Sequence, residues 1–134
     1  MKLFITGGAY QGKTDYAKNT DVFKDAYVAD FEASDVKILL DECNDKEKII
    51  YKNCHRLIWW AETENIGIDS IFGRLTDGKN DWCIIMNEIG SGIVPIDRAE
   101  RVYRENAGRF GCLVAENADM VVRAVCGIGM VIKG

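Results

Sequence analysis

Leu3-Phe4-Ile5-Thr6-Gly7-Gly8-Ala9-Tyr10-Gln11-Gly12-Lys13-Thr14 is the stretch on which the reading of this chain turns. Leu3-Phe4-Ile5 is a short apolar run, which predicts a buried strand ending at Ile5 or Thr6. Gly7 through Thr14 then fits the phosphate-loop pattern G-x-x-x-x-G-K-[ST], and a helix can begin near Lys13. Glycines allow the tight path that turns several backbone N–H groups toward one anion. The helix N-terminus adds partial positive charge, Lys13 adds a full one, and Thr14 offers a hydroxyl to Mg²⁺. A plain glycine-rich turn could carry the same letters; the preceding strand and following helix favour the phosphate reading. Gly7, Gly8, Ala9, Tyr10, Gln11, Gly12, Lys13 and Thr14 are therefore the expected phosphate-binding residues.

Outward from the loop, strands and helices alternate. Ala26–Ala29 predicts a second strand running into the acidic patch Asp30-Phe31-Glu32. Ser34 to Asn44 suits either a helix capped by Ser34 or a strand over Val36–Leu40. From Asp45 to about Glu64, Ile49, Ile50, Cys54, Leu57, Ile58 and Ala61 recur at helical spacing, predicting one amphipathic helix capped by Asp45. A short helix over Ile68–Leu75 follows. Trp82–Met86 is continuously apolar, as a strand buried on both faces should be. Asp97 to about Asn117 predicts a long helix burying Ala99, Val102, Tyr103, Leu113 and Val114, and Met120–Cys126 with Met130–Lys133 predicts a hairpin around Gly127-Ile128-Gly129. The expected fold is α/β: an open, mostly parallel sheet flanked by helices, with a C-terminal β-hairpin at one edge.

The 134 residues suit one domain, 1–134, with a real core. A hydrophobic share of 48% beside 28% charged residues is a globular balance. The net charge of −4 disfavours a general nucleic-acid binder, although Arg98, Arg101, Arg104 and Arg109 concentrate positive charge on one helix. No apolar run is long enough to span a bilayer, and the first residues read as a strand; the expected location is the cytoplasm. Five cysteines without C-x-x-C spacing argue against a disulfide framework and a structural zinc site. All five are expected to be thiols, most of them core, with Cys83 and Cys126 inside apolar runs.

Phosphoryl transfer needs, besides the cradle, an acid that serves the metal or the acceptor. Glu88 ends a buried strand, so it should face the crevice at the carboxyl edge of the sheet. It is the first candidate for catalysis and for Mg²⁺, with Thr14 as the other metal ligand. Asp30 and Glu32 are further candidates at the nucleotide, and each of these acids could equally be a solvated strand end. Gly90 and Gly92 would let backbone approach a substrate, and Arg98 and Arg101 could meet an anionic one, if they are not simply a solvated face. His55, the one histidine, could be a phosphoramidate nucleophile, a general base or a structural residue. Trp59, Trp60 and Trp82 read as core or interface.

These motifs together resemble a known family, the bifunctional cobinamide kinase and cobinamide-phosphate guanylyltransferases of cobalamin biosynthesis. The resemblance is carried by Gly7–Thr14, by Asn87-Glu88-Ile89-Gly90-Ser91-Gly92-Ile93-Val94-Pro95, by Arg104-Glu105-Asn106-Ala107-Gly108-Arg109 and by the ending Val125–Lys133. It implies a P-loop NTPase-type fold, ATP or GTP with Mg²⁺, and phosphorylation of the aminopropanol hydroxyl of adenosylcobinamide. It implies GMP transfer through a guanylylated histidine, and a homo-oligomer whose interface forms part of the site. The middle of the chain departs from the pattern: no histidine lies between Glu32 and His55, and Tyr10-Gln11 stand where longer members carry Arg-Ser. The kinase step is the activity expected. A nucleotide-binding regulatory member without transfer, and a kinase for another small alcohol, are the alternatives.

Overall fold

The computed structural model describes residues 1–9, 11–88 and 97–134. Among them six strands form one sheet: β1 (Lys2–Gly7), β2 (Tyr27–Asp30), β3 (Lys48–Lys52), β4 (Asp81–Asn87), β5 (Met120–Val125) and β6 (Ile128–Lys133). Their order across the sheet is β2-β3-β4-β1-β5-β6, parallel throughout except for β6, which returns antiparallel along β5. β1 is central, paired to β4 on one side and β5 on the other. It therefore buries both faces, which is why its sequence is continuously apolar rather than alternating.

Helices cover both faces. On one, α1 (Lys13–Lys18) and a 3-10 turn at Asp21–Phe23 pack Ala17 and Phe23 against Leu3, Ile5, Ile50, Cys83 and Ile85. On the other lie α2 (Val36–Glu42), α3 (Cys54–Thr63), α4 (Ile68–Thr76) and α5 (Arg98–Asn117). Leu57, Ile58, Leu75, Phe110 and Val114 from these helices bury Phe4, Ile49, Tyr51, Trp82 and Ile84. Asp35 caps α2 by accepting from the Ile38 N–H at 3.2 Å, and Asp97 caps α5 by accepting from the Ala99 N–H at 2.8 Å. Each cap satisfies a donor that the first helical turn cannot. Among the described residues no helix is long and apolar enough to cross a membrane.

The expected α/β sheet with its C-terminal hairpin is what forms. The largest correction lies at Asp45–Glu64, which is not one helix. Lys48–Lys52 is β3, and α3 begins only at Cys54. Asn53 separates them in the left-handed conformation, with φ 60, a backbone state that asparagine tolerates better than most residues. The ambiguous segment before it is the helix α2, capped by Asp35 rather than Ser34. In α5 the buried residues are Ala107, Phe110 and Val114; Ala99 is exposed, and Val102, Tyr103 and Leu113 are half-buried. All five cysteines are free, with Cys43, Cys54 and Cys83 buried and Cys112 exposed. Cys126 is exposed rather than core, because it belongs to the hairpin turn and not to a strand. Cys126 and Gly127 form that turn with φ 50 and 80, the positive pair that a two-residue hairpin of type I′ requires. Trp82 is core, whereas Trp59 is exposed and meets Tyr103 edge-on at 5.1 Å.

Candidate active site

Parallel strands end on the same side, so β1 to β4 deliver Gly7, Asp30, Lys52 and Asn87 to one edge of the sheet. Three of these last residues, Asp30, Lys52 and Asn87, line a cleft of about 500 Å³ together with Ala9, Gln11, Gly12, Lys13, Thr14, Asp15, Glu32 and Asn53. The crevice at the carboxyl edge is the usual ligand position in an open α/β sheet. Ala9, Gln11, Gly12, Lys13 and Thr14 of the expected loop and the two acids expected at the nucleotide, Asp30 and Glu32, are thus brought to one cavity, whereas Gly7 and Gly8 do not line it. Tyr10, Gly90 and Gly92 lie outside the described residues.

Gly12 precedes α1 with φ 80, and its carbonyl accepts from the Tyr16 N–H at 3.0 Å. Among the described residues no side chain caps this helix, which leaves its first N–H groups to a ligand. Lys13 is only 7% exposed, and its Nζ donates to the Gly8 carbonyl at 2.6 Å. Burial pushes its pKa below the ordinary lysine value, and the nearby Glu88 charge opposes that shift. A weakly solvated cation beside a helix N-terminus is what a polyphosphate would displace water to reach.

The acids differ in their commitments. Asp30 Oδ1 accepts from Asn53 Nδ2 at 2.7 Å and from the Glu32 N–H at 3.0 Å. Glu32 Oε1 lies 2.8 Å from His55 Nε2. His55 is not mid-helix, as the single long helix implied, but in the first turn of α3, two residues after Asn53. Its Nδ1 is buried and has no hydrogen-bond partner among the described residues. Glu88 does not line the cleft of Lys13. Its carboxylate accepts from Arg123 Nε at 2.7 Å and Nη2 at 3.2 Å, and it borders a separate cleft of about 340 Å³ with Thr6, Asn87, Ala107, Gly108 and Gly111. Arg98 and Arg101 are exposed at the start of α5 and line neither cleft. Thr14, Asp15, Asp30 and Glu32 line the Lys13 cleft, but among the described residues no three acid, histidine or cysteine side chains cluster as a metal site.

Lys52, Asn53 and Asn87 were missed by sequence reasoning. Lys52 brings a second cation to the cleft, and its signal was the polar break Lys52-Asn53 after Ile49-Ile50-Tyr51. Reading that segment as a strand would have put Lys52 and Asn53 at the carboxyl edge, beside the strand end already read at Asn87.

Similarity to a known family covers most of the chain, from beyond the phosphate loop onward. The model of the cobinamide kinase / cobinamide phosphate guanyltransferase family matches residues 36–132, a span that holds His55, Glu88 and the hairpin. The bifunctional adenosylcobalamin biosynthesis protein CobU of Salmonella typhimurium (strain LT2) is 46% identical over 50 residues, 37% of this chain and 28% of that protein. The aligned stretch thus spans little more than a quarter of the relative's length. With nearly the whole chain after β2 inside the family match, and a P-loop-type parallel sheet beneath it, the chain belongs to the cobinamide kinase / cobinamide phosphate guanyltransferase family.

Proposed function

We propose that this protein uses ATP or GTP with Mg²⁺ to phosphorylate the aminopropanol hydroxyl of adenosylcobinamide, as a transferase of cobalamin biosynthesis. One observation carries the reading: Lys13, almost withdrawn from water, borders the carboxyl-edge cleft together with Thr14, Asp30 and Glu32. The loop amides and Lys13 bind the β- and γ-phosphates, with Lys13 exchanging the Gly8 carbonyl for a phosphate oxygen. Thr14 and a cleft carboxylate, Asp30 or Glu32, would hold a Mg²⁺ carried in with the nucleotide, and the ion would neutralise phosphate charge. Glu88, oriented by Arg123, takes the acceptor's proton from the neighbouring cleft. One domain, 1–134, carries these parts, and it works in the cytoplasm as a homo-oligomer.

The test mixes the protein with adenosylcobinamide, Mg²⁺ and γ-labelled ATP or GTP, and follows label on the corrinoid. Transfer by the wild type and its loss in Lys13→Ala are expected. A protein that binds nucleotide but labels neither the corrinoid nor any of a panel of small alcohols would sink the kinase reading and leave a binding module.

GMP transfer through His55 is a second reading, favoured by its contact with Glu32 beside the cleft and by its unpartnered Nδ1. It requires α-labelled GTP to leave acid-labile label on the wild type and none on His55→Ala. Unlabelled protein that binds GTP rejects it.

A further inference from the structure

The C-terminal hairpin runs alongside the phosphate loop and touches it at four places. Gly7 faces Ala124 in register, so closely that a Cβ on Gly7 would lie 2.5 Å from the Ala124 carbonyl oxygen. The Gln11 side-chain oxygen accepts a hydrogen bond from the Cys126 N–H, and the Gln11 carbonyl accepts from the Gly127 N–H at 3.1 Å. A Cβ on Gly12 would lie 3.2 Å from Gly127 Cα. The Tyr16 ring of α1 lies over Gly129, where a Cβ would fall 2.2 Å from the ring. Both ends of the loop and the helix it opens are thus fastened to one hairpin about 115 residues away in sequence.

We propose that Gln11 is a positioning residue, and that its two bonds to the Cys126–Gly127 turn hold the loop in the form that receives a nucleoside triphosphate. The turn presents its two N–H groups to a single residue, which a type I′ hairpin with positive φ at both positions makes possible. A loop already held in its binding shape loses less freedom when the ligand arrives, so its affinity is higher at no cost in contacts. Linkage makes the effect reciprocal: if the clasp favours the ligand, the ligand must tighten the clasp by the same factor. The role rests on the nucleotide reading given above, and the test separates the two.

The variant is Gln11→Met, which keeps the side chain's length and removes its acceptor. Amide hydrogen exchange at Cys126 and Gly127 is followed with and without Mg-ATP, and Mg-ATP affinity is measured by titration. In the wild type, Mg-ATP should slow exchange at both amides. In Gln11→Met, Cys126 exchange should accelerate about tenfold, Mg-ATP affinity should fall roughly five- to tenfold, and the urea midpoint should stay nearly unchanged, since an isolated loop contact adds little to global stability. Unchanged affinity in a variant whose Cys126 exchange has accelerated overturns the positioning role, and unchanged exchange overturns the clasp itself. A wild type that binds neither Mg-ATP nor Mg-GTP overturns the nucleotide reading and the positioning role with it.

Discussion

Two glycine-to-alanine substitutions, chemically identical, should move the stability of this protein in opposite directions. Gly7 ends β1 with φ 148, a region strained for any residue with a Cβ, and the added carbon would press on the Ala124 carbonyl at 2.5 Å. Backbone cannot swing aside as a flexible side chain can, least of all inside a register that fixes Gly7 against both Asn87 and Ala124. Strained φ costs about 1–3 kcal/mol and overpacking a similar amount, so Gly7→Ala should lose about 3 kcal/mol. Gly108 lies inside α5, and a Cβ there meets nothing within 4 Å. Alanine in that place restricts the unfolded chain without a clash and should gain about 0.5–1 kcal/mol. For a chain of this length roughly 4 °C accompanies each kcal/mol, giving a fall near 12 °C for Gly7→Ala and a rise of about 2–4 °C for Gly108→Ala. Urea unfolding and a thermal melt on the two variants and the wild type measure both. Gly7→Ala at wild-type stability would refute the close approach of β1 to β5, and a destabilised Gly108→Ala would refute the open space beside α5.

Lys13 supplies a pH-dependent counterpart. Burial lowers its pKa in the folded state, so the charged form is penalised below that value and the penalty disappears above the ordinary lysine pKa. Lys13→Met should therefore be the more stable protein at neutral pH, with its advantage over wild type shrinking as pH rises through the lowered pKa; a difference that grew with pH would contradict the burial of this charge. Two thiols of the five, Cys112 and Cys126, should react with a thiol reagent in the native state, while Cys43, whose pKa burial pushes up to about 11, and the fully buried Cys54 and Cys83 should wait for unfolding. Glu88→Gln removes an ion pair whose partners are both well exposed, so stability should change by less than about 1 kcal/mol, and any loss of phosphoryl transfer beyond tenfold is then chemical rather than structural.

The strand–loop–helix of residues 2–18 and the sheet were legible because each rests on local rules. Leu3-Phe4-Ile5 reads as a strand because a glycine-rich loop closes it at once, and Trp82–Met86 because five apolar residues run without a break. β3 was hidden for a physical reason: Ile49-Ile50-Tyr51 is too short an apolar run for its period to be read, and Cys54, Leu57, Ile58 and Ala61 extend it at helical spacing. The boundary depends on one asparagine in a left-handed conformation, which no pattern of hydrophobicity reports. Lys52, and the contact of His55 with Glu32, followed that boundary and were lost with it. Glu88 was placed correctly at a strand end, but strand alternation sends Asn87 to the α1 face and Glu88 to the α5 face. Cys126 went astray because the turn occupies Cys126-Gly127 rather than the glycines on either side of Ile128.

The central place of β1 has a consequence for how the chain is made. β1 is made before both of its neighbours, which begin at Asp81 and Met120, so its edges stay unpaired until those strands have followed. At about 5–20 residues per second, roughly ten seconds separate Thr14 from the turn that clasps its loop. During that interval the chain exposes an apolar strand and a loop whose shape has no support, the condition under which nascent chains aggregate or recruit chaperones. The loop is thus completed only long after it is made. A chain released before Gly127 should carry the whole phosphate-loop sequence and still lack the structure that gives the sequence its meaning.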